Sequence, residues 1–199
     1  MWIILLGASG TCKRAVVDDL VKNDGFIFEH DVAPEAYRSP FCQQVSRICQ
    51  RWRQAVSLTK RIEESDFLTV RSFWDTSVYT DALMKMKDIT SSECGVINEI
   101  YDTLSINVPM PHAVLYFRAN EMQSHNRQAM TGREPGQSEF ELLVKDNYEK
   151  HIRQIRLPCV EIDVTDEFEP MMEEVRVAIN AFRSSNVGAS TIWKRSYYK

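Results

Sequence analysis

The chain has 199 residues, of which 44% are hydrophobic, and its formal net charge is −4. This length is typical of one domain, and the apolar fraction is sufficient for a full-sized core. The acidic balance excludes a surface that binds nucleic acid or a membrane over its whole extent. The apolar run that starts at Trp2 is too short for a membrane span and has no basic leader, so we expect no signal peptide either.

The cysteines and histidines are scattered along the chain, with no C-x-x-C pair and no zinc-site spacing. We therefore expect reduced thiols, a cytoplasmic location and no structural metal. The residues concerned are Cys12, Cys42, Cys49, Cys94, Cys159, His30, His112, His125 and His151.

Strand-like and helical patterns alternate along the chain. Short apolar segments predict buried strands at 2–6, 26–28, 67–74, 113–117 and 159–164. Helical spacing predicts helices at 13–22, 41–63, 78–87, 91–104, 121–130, 139–154 and 168–182. This alternation predicts an α/β fold in which a five-stranded parallel sheet has helices on both faces. We expect one domain over 1–183 and a loose basic tail over 184–199.

The first strand leads into the sequence G-A-S-G-T-C-K-R, at the strand end where parallel sheets bind ligands. A working phosphate loop reads G-x-x-x-x-G-K-[ST]. Gly7, Gly10 and Lys13 fit a loop that binds phosphate through its backbone and its lysine. Cys12 replaces the last glycine, and Arg14 replaces the hydroxyl that ligates magnesium, although Arg14 could add positive charge at the phosphates. The alternative is a tight turn that only caps the following helix.

The segment that follows the third predicted strand reads D-T-S-V-Y-T-D. It resembles the deoxynucleoside-kinase signature [DE]-R-S-x-Y-x-D, with Thr76 in place of the arginine. The resemblance implies that Asp75 helps to hold magnesium and that Asp81 faces the base of the substrate. The alternative is a helix N-cap, in which Asp75 or Ser77 accepts hydrogen bonds from free N–H groups.

Two further positions extend the resemblance into the nucleoside pocket. Gln44 and Arg51 are seven residues apart on the long second helix and therefore share one face. In deoxynucleoside kinases a glutamine and an arginine at this spacing reach the pocket, so Gln44, Arg51 and Asp81 form the predicted base-reading set. The helix is polar enough for such a pair to occur by chance.

The carboxylate at the end of the second strand is a candidate general base. In similar kinases a glutamate at this place takes the proton of the nucleoside 5′-hydroxyl, which requires hydrogen-bonding distance. The resemblance assigns this role to Glu29. Asp31 and Glu35 are nearby rivals, and any of the three could be a solvated surface residue.

The segment 126–137 resembles the lid of these kinases, an R-x-x-x-R-G-R-x-x-E-Q pattern. The resemblance implies that Arg127 and Arg133 stabilise charge on the transferring phosphoryl group. Thr131 replaces the middle arginine, and Gly136 replaces a glutamate that would hold the sugar 3′-hydroxyl. A solvated charged loop is the alternative.

The resemblance covers nearly the whole chain, from about residue 2 to residue 182. It implies phosphoryl transfer from ATP, with magnesium carried by the nucleotide, to the 5′-hydroxyl of a deoxynucleoside. It also implies a homodimer through the helical block 78–104, with neither nucleic acid nor membrane as a partner. Two alternatives stay open: a non-catalytic binding subunit, and a nucleoside-monophosphate kinase that uses Arg47, Arg51 and Arg53 for the acceptor phosphate.

Overall fold

The structure is a computed structural model, and it describes residues 1–31, 39–119 and 139–185. Its single sheet has five parallel strands in the order β2-β3-β1-β4-β5. The strands are β1 (Trp2–Leu6), β2 (Ile27–Glu29), β3 (Phe67–Val70), β4 (Ala113–Arg118) and β5 (Cys159–Asp163). The predicted five-stranded parallel α/β fold is therefore confirmed.

Helices pack on both faces of this sheet. Within the described ranges they are α1 (Lys13–Asn23), α2 (Pro40–Arg61), α3 (Thr76–Lys85), α4 (Ser91–Ser105), α5 (Glu139–Gln154) and α6 (Phe168–Ser185). No helix in the described part of the chain is long and apolar enough to cross a membrane. The helix predicted at 121–130 lies outside the described residues, whereas α6 continues two residues into the predicted tail.

The central strand β1 is apolar at every position because both of its faces are buried. Trp2, Ile4 and Leu6 enter a core shared with helices α2 to α5. Ile3 and Leu5 enter a second core, on the face covered by α1 and α6. Because a helix layer covers each face, neither set of alternating side chains meets water.

The third strand is shorter than the predicted 67–74, because it ends at Val70. Arg71 then takes a left-handed backbone conformation with φ of 70°, and Ser72 caps a single 3₁₀ turn. Phe73 and Trp74 in that turn pack against Tyr101 of α4, with ring centroids 4.7 and 6.5 Å from it. The aromatic pair thus belongs to helix packing, and the carboxyl end of β3 leads directly into Arg71.

Candidate functional site

The predicted phosphate loop joins β1 to α1 at the carboxyl edge of the sheet. Gly7 has a φ of +138°, and a Cβ atom there would lie 2.5 Å from the carbonyl oxygen of Phe117 in β4. Only glycine allows this approach between the loop and the neighbouring strand. Cys12 precedes α1 in the left-handed conformation, with φ of 56°. Cys12 therefore has a side chain in a backbone conformation that only glycine adopts without strain.

Lys13 folds back over this loop. Its ammonium group donates to the carbonyl oxygens of Gly7 (2.9 Å) and Ala8 (2.6 Å), and also to the hydroxyl of Thr11. Burial and, to a smaller extent, the charge of Arg71 lower the pKa of Lys13 to about 7, although the charge of Asp75 opposes the shift. Lys13 is thus the cation of the loop and sits where an incoming phosphate oxygen could replace its carbonyl partners.

Arg71 is a site residue that the sequence reasoning missed. It follows β3 directly, and its guanidinium carbon lies 4.7 Å from the ring centroid of Tyr79. Among the described residues, none forms a hydrogen bond or ion pair with its side chain. The sequence did contain a signal for Arg71. Arg71 and Ser72 form the Arg-Ser dipeptide of the kinase signature after a short apolar run, and Val70 stands where the signature has an acidic residue.

Asp75 is fully buried and bonded on every side. It accepts hydrogen bonds from the backbone N–H of Ser72 (2.9 Å) and the hydroxyl of Tyr148 (2.6 Å), and it pairs with Arg51 at 3.4 Å. Burial and the charge of Asp75 raise the pKa of Tyr148 well above its ordinary value, so its hydroxyl stays protonated and can donate. Asp75 therefore links the 3₁₀ turn, α2 and α5.

These contacts bear on the magnesium ion that ATP-dependent kinases use. The oxygens of Asp75 already have protein partners, and Arg14 offers no oxygen ligand. Nor do the described residues contain a cluster of three or more His, Cys, Asp or Glu side chains that could hold a metal. The described residues therefore do not fit a magnesium ion held by the protein, and we assign none of them as its ligand.

Arg51 connects the chain just after β2 to the buried Asp75. It is 5% exposed and pairs with Asp31 and Asp75, each at 3.4 Å. Burial alone would lower the pKa of Arg51, but the two carboxylates raise it overall. Glu29, the residue expected as general base, pairs instead with Arg61 at 3.0 Å. Of Glu29 and Asp31, only Asp31 is connected through Arg51 to the buried carboxylate of Asp75. Glu35 lies outside the described residues.

The predicted base-reading set is only partly brought together. Gln44 is buried on α2 and donates to the carbonyl oxygen of Thr76 (3.2 Å) and the hydroxyl of Thr80 (2.9 Å). Gln44 and Arg51 thus both meet the N-terminal part of α3. Asp81 is exposed on α3; the loss of part of its hydration beside the neighbouring helix raises its pKa, and the charge of Lys85 opposes the shift. The structure does not place Asp81 beside Gln44.

Three arginines outside this centre were also predicted to contact phosphate. Arg14 forms an exposed ion pair with Asp18 at 2.9 Å and lies 5.1 Å from the ring centroid of Phe28. Its side chain is therefore engaged along α1 and β2 rather than over the loop. Arg127 and Arg133, like the rest of the predicted lid, lie outside the described residues.

No known protein-family model matches the sequence, and no curated protein matches it. Solved structures of deoxyadenosine kinase from M. mycoides do resemble the fold. The structure with bound dATP has a TM-score of 0.74 at 16% identity, covering 90% of this chain and 100% of that chain. The structures with the products dCMP and dCDP and with dCTP have TM-scores of 0.69 and 0.67 at 14% and 15% identity, each covering 91% of this chain and 100% of that chain.

The chain therefore has the α/β fold of the P-loop kinases. The same fold occurs in the solved deoxyadenosine kinase structures, which agrees with the predicted resemblance to deoxynucleoside kinases.

Proposed function

We propose that this protein binds ATP and a deoxynucleoside at the carboxyl edge of its sheet and transfers the γ-phosphoryl group to the 5′-hydroxyl at a low rate. The observation that carries the proposal is the convergence of Lys13 and Arg71 beside the loop that follows β1. The backbone N–H of Arg71 donates to the carbonyl oxygen of Leu5 in the neighbouring strand at 3.4 Å, which places Arg71 beside the start of the loop. Burial, and after it the charge of Arg71, lowers the pKa of Lys13. Two cations at the mouth of a phosphate loop can neutralise a triphosphate and the charge that develops during transfer.

The acceptor hydroxyl needs a carboxylate as general base, and two described residues are candidates. Glu29 is the residue that the kinase resemblance assigns. Asp31 pairs with Arg51, which also pairs with the buried carboxylate of Asp75. Parallel Glu29→Gln and Asp31→Asn variants separate them, because loss of a general base costs about 10²–10⁴ in rate. We expect the larger loss for Asp31→Asn; a larger loss for Glu29→Gln would assign the role to Glu29.

A second function, a non-catalytic binding subunit, is favoured by specific contacts. Cys12 places a side chain in the loop, Arg14 pairs with Asp18, and the oxygens of Asp75 are already bonded. Phosphoryl transfer normally uses a loop backbone that closes on phosphate, cations that contact the phosphates, and carboxylate oxygens that bind magnesium. Each of these contacts removes one of the three. In this case the protein would still bind a nucleoside or a protein partner, but it would not turn over.

One experiment tests both functions. Calorimetric titration with ATP–magnesium and, separately, with each of the four deoxynucleosides measures binding, and formation of ADP and nucleoside monophosphate measures turnover. We expect nucleoside binding stronger than ATP binding, together with slow turnover that depends on Lys13. Nucleoside binding with no turnover would favour the non-catalytic subunit. A protein that binds neither ligand would contradict the proposed nucleoside-kinase function.

We also propose a cytoplasmic homodimer formed through the block 78–104, with a single domain over 1–183. The apolar residues Met84 and Val96 support the dimer, because they are 39% and 44% exposed on α3 and α4. A contiguous exposed apolar patch is typical of a subunit interface, so the proposal requires that Met84 and Val96 share one face.

A further inference from the structure

His112 connects the start of the central strand β1 to the start of β4. It lies just before β4, and its backbone N–H donates to the carbonyl oxygen of Trp2 at 2.8 Å. The backbone N–H of Trp2 donates in return to Nδ1 of the His112 ring at 3.0 Å. A single residue therefore satisfies both main-chain polar groups of Trp2, one with its backbone and one with its side chain.

This contact requires one protonation state of the imidazole ring. A backbone N–H is only a donor, so Nδ1 of His112 must accept, and the proton of the neutral ring lies on Nε2. A protonated ring carries a hydrogen on both nitrogens. Nδ1–H would then face the N–H of Trp2, a residue that is 1% exposed, and a buried donor would lose its partner.

The charges around His112 come from the Met1 amine, at the start of the sheet, and from Asp66, just before β3. Burial, and after it the charge of the Met1 amine, lowers the pKa of His112, whereas the charge of Asp66 opposes the shift. Burial would raise the pKa of Asp66, but its bonds to the Met1 amine and to Arg183 lower it overall. Asp66 therefore stays ionised in the range around pH 5 to 7, where a histidine titrates.

The other side of the same strand end is held by different contacts. The N–H of Phe67 in β3 donates to the carbonyl oxygen of Met1 at 2.7 Å, and the indole N–H of Trp2 donates to the hydroxyl of Thr69 at 3.0 Å. Loss of the His112 contact would open the first β1–β4 contact and leave the β1–β3 pairing in place. Such a local opening requires less free energy than global unfolding.

We propose that His112 is a pH-sensitive latch at the amino edge of the sheet: its neutral ring holds the start of β1 against β4, and its protonation releases this end of the strand. The stability that the latch contributes is fully present above about pH 6.5, where an unfolded histidine is neutral, and is lost as the pH falls below this value. The inference rests on contacts at the amino edge and does not depend on the proposed function.

The test measures hydrogen exchange of the Trp2 amide by NMR, in the full chain without ligand, at about pH 7.5 and about pH 5. Protection is expressed relative to the exchange rate of the unfolded chain at each pH, which removes the chemical effect of pH on exchange. We expect the protection of Trp2 to fall about tenfold or more on acidification, because protonation is linked to opening. Ile4, which pairs with Val114 in the same ladder, is the internal control and should change less.

His112→Asn is the variant that separates the latch from a general effect of acid. The side-chain carbonyl of asparagine can accept the same hydrogen bond and does not titrate, so Trp2 should stay protected at both pH values. His30→Asn is the matched control, because it removes an exposed histidine and should leave the fall in protection as it is in the wild type. His151 remains in every variant, so its titration cancels in the comparison.

Equal protection of Trp2 at the two pH values in the wild type would overturn the proposal, as would a fall that persists in His112→Asn. If His112→Asn does not fold, the wild type decides alone, since parallel losses at Trp2 and Ile4 would indicate global destabilisation and contradict a local latch. No nucleotide is present in the experiment, so its result is independent of whether the protein transfers phosphoryl groups.

Discussion

Lys13 and Arg71 set the electrostatics of the candidate site at the scale of single residues. Arg71 directly follows β3, Lys13 begins α1 after the loop that follows the neighbouring strand β1, and the charge of Asp75 opposes the effect of Arg71 on the pKa of Lys13. Because Lys13 titrates near pH 7 in the free protein, its charge changes within the physiological range. The titration of Lys13 should therefore contribute to the pH dependence of phosphate binding.

ATP affinity should fall as the pH rises from about 6 to about 8. The pKa of Lys13 is lowered to about 7, so the ammonium form that attracts phosphate predominates below this pH and is lost above it. Calorimetric titration at constant ionic strength measures the change. Lys13→Met should bind ATP weakly and with a flatter pH dependence; the titration of ATP itself is common to both proteins. Parallel pH profiles for the two proteins would contradict the role of Lys13.

The double substitution Cys12→Gly, Arg14→Ser should increase ATP–magnesium affinity by about tenfold or more and should raise turnover. Glycine adopts the left-handed conformation at position 12 without strain and lets backbone N–H groups approach phosphate. Serine restores an oxygen ligand for the cation. Arg53→Ser is the control for loss of a positive charge outside the loop. Unchanged ATP binding in the double variant would locate the defect elsewhere in the site.

At the scale of elements, α5 is held against α3 by buried polar contacts. Tyr148 donates to Asp75, and its hydroxyl lies 3.1 Å from that of Tyr79. Asn147 donates to the carbonyl oxygen of Val78 at 3.0 Å and accepts from Lys85 at 2.8 Å. Since α5 follows the predicted lid in sequence, these bonds determine where the chain returns to the domain after 126–137.

Tyr148→Phe should lower the free energy of unfolding by about 1–3 kcal/mol, because the buried carboxylate of Asp75 loses a short hydrogen bond. Tyr79→Phe is the matched control: it removes a buried hydroxyl whose described partner is neutral, so we expect a loss of about 1 kcal/mol or less. Urea denaturation measures both values. Equal losses, or no loss for Tyr148→Phe, would show that Asp75 does not depend on this bond.

At the scale of the whole molecule, the proposed dimer concerns the outer face of α3 and α4. The core takes up Ala82 and Ile97 of these helices, whereas Met84 and Val96 remain exposed. Lys13 and Arg71 belong to other elements, so the proposed interface uses neither of them.

Sedimentation at micromolar concentration should give a dimer for the wild-type chain and a monomer for Val96→Glu. A charge buried without a partner at an interface is strongly unfavourable. Val177→Glu is the matched control, because Val177 is 60% exposed on α6, away from the proposed interface, and should leave the dimer intact. A wild-type monomer, or a dimer that tolerates Val96→Glu, would contradict the proposed interface.

The sequence by itself determined the sheet, the number and order of its strands along the chain, and the loop after β1. Those features depend on local patterns. Strands covered on both faces are continuously apolar, as Trp2 to Leu6 are, and a sharp strand-to-helix turn requires glycine at a position such as Gly7. The bounds of α5 were also predicted without error, because its apolar spacing continues unbroken from Glu139 to Gln154.

Only the tertiary structure decided the end of β3 and the partners of the charged residues. Phe73 and Trp74 are as apolar as a strand, and only their packing against α4 shows that they leave the sheet and that Arg71 occupies its edge. Ion pairs join residues far apart in sequence, such as Arg51 with Asp31 and Asp75, and sequence spacing contains no information about such distances. The roles of Asp75, Asp31 and Arg71 therefore depend on which side chains the fold brings together.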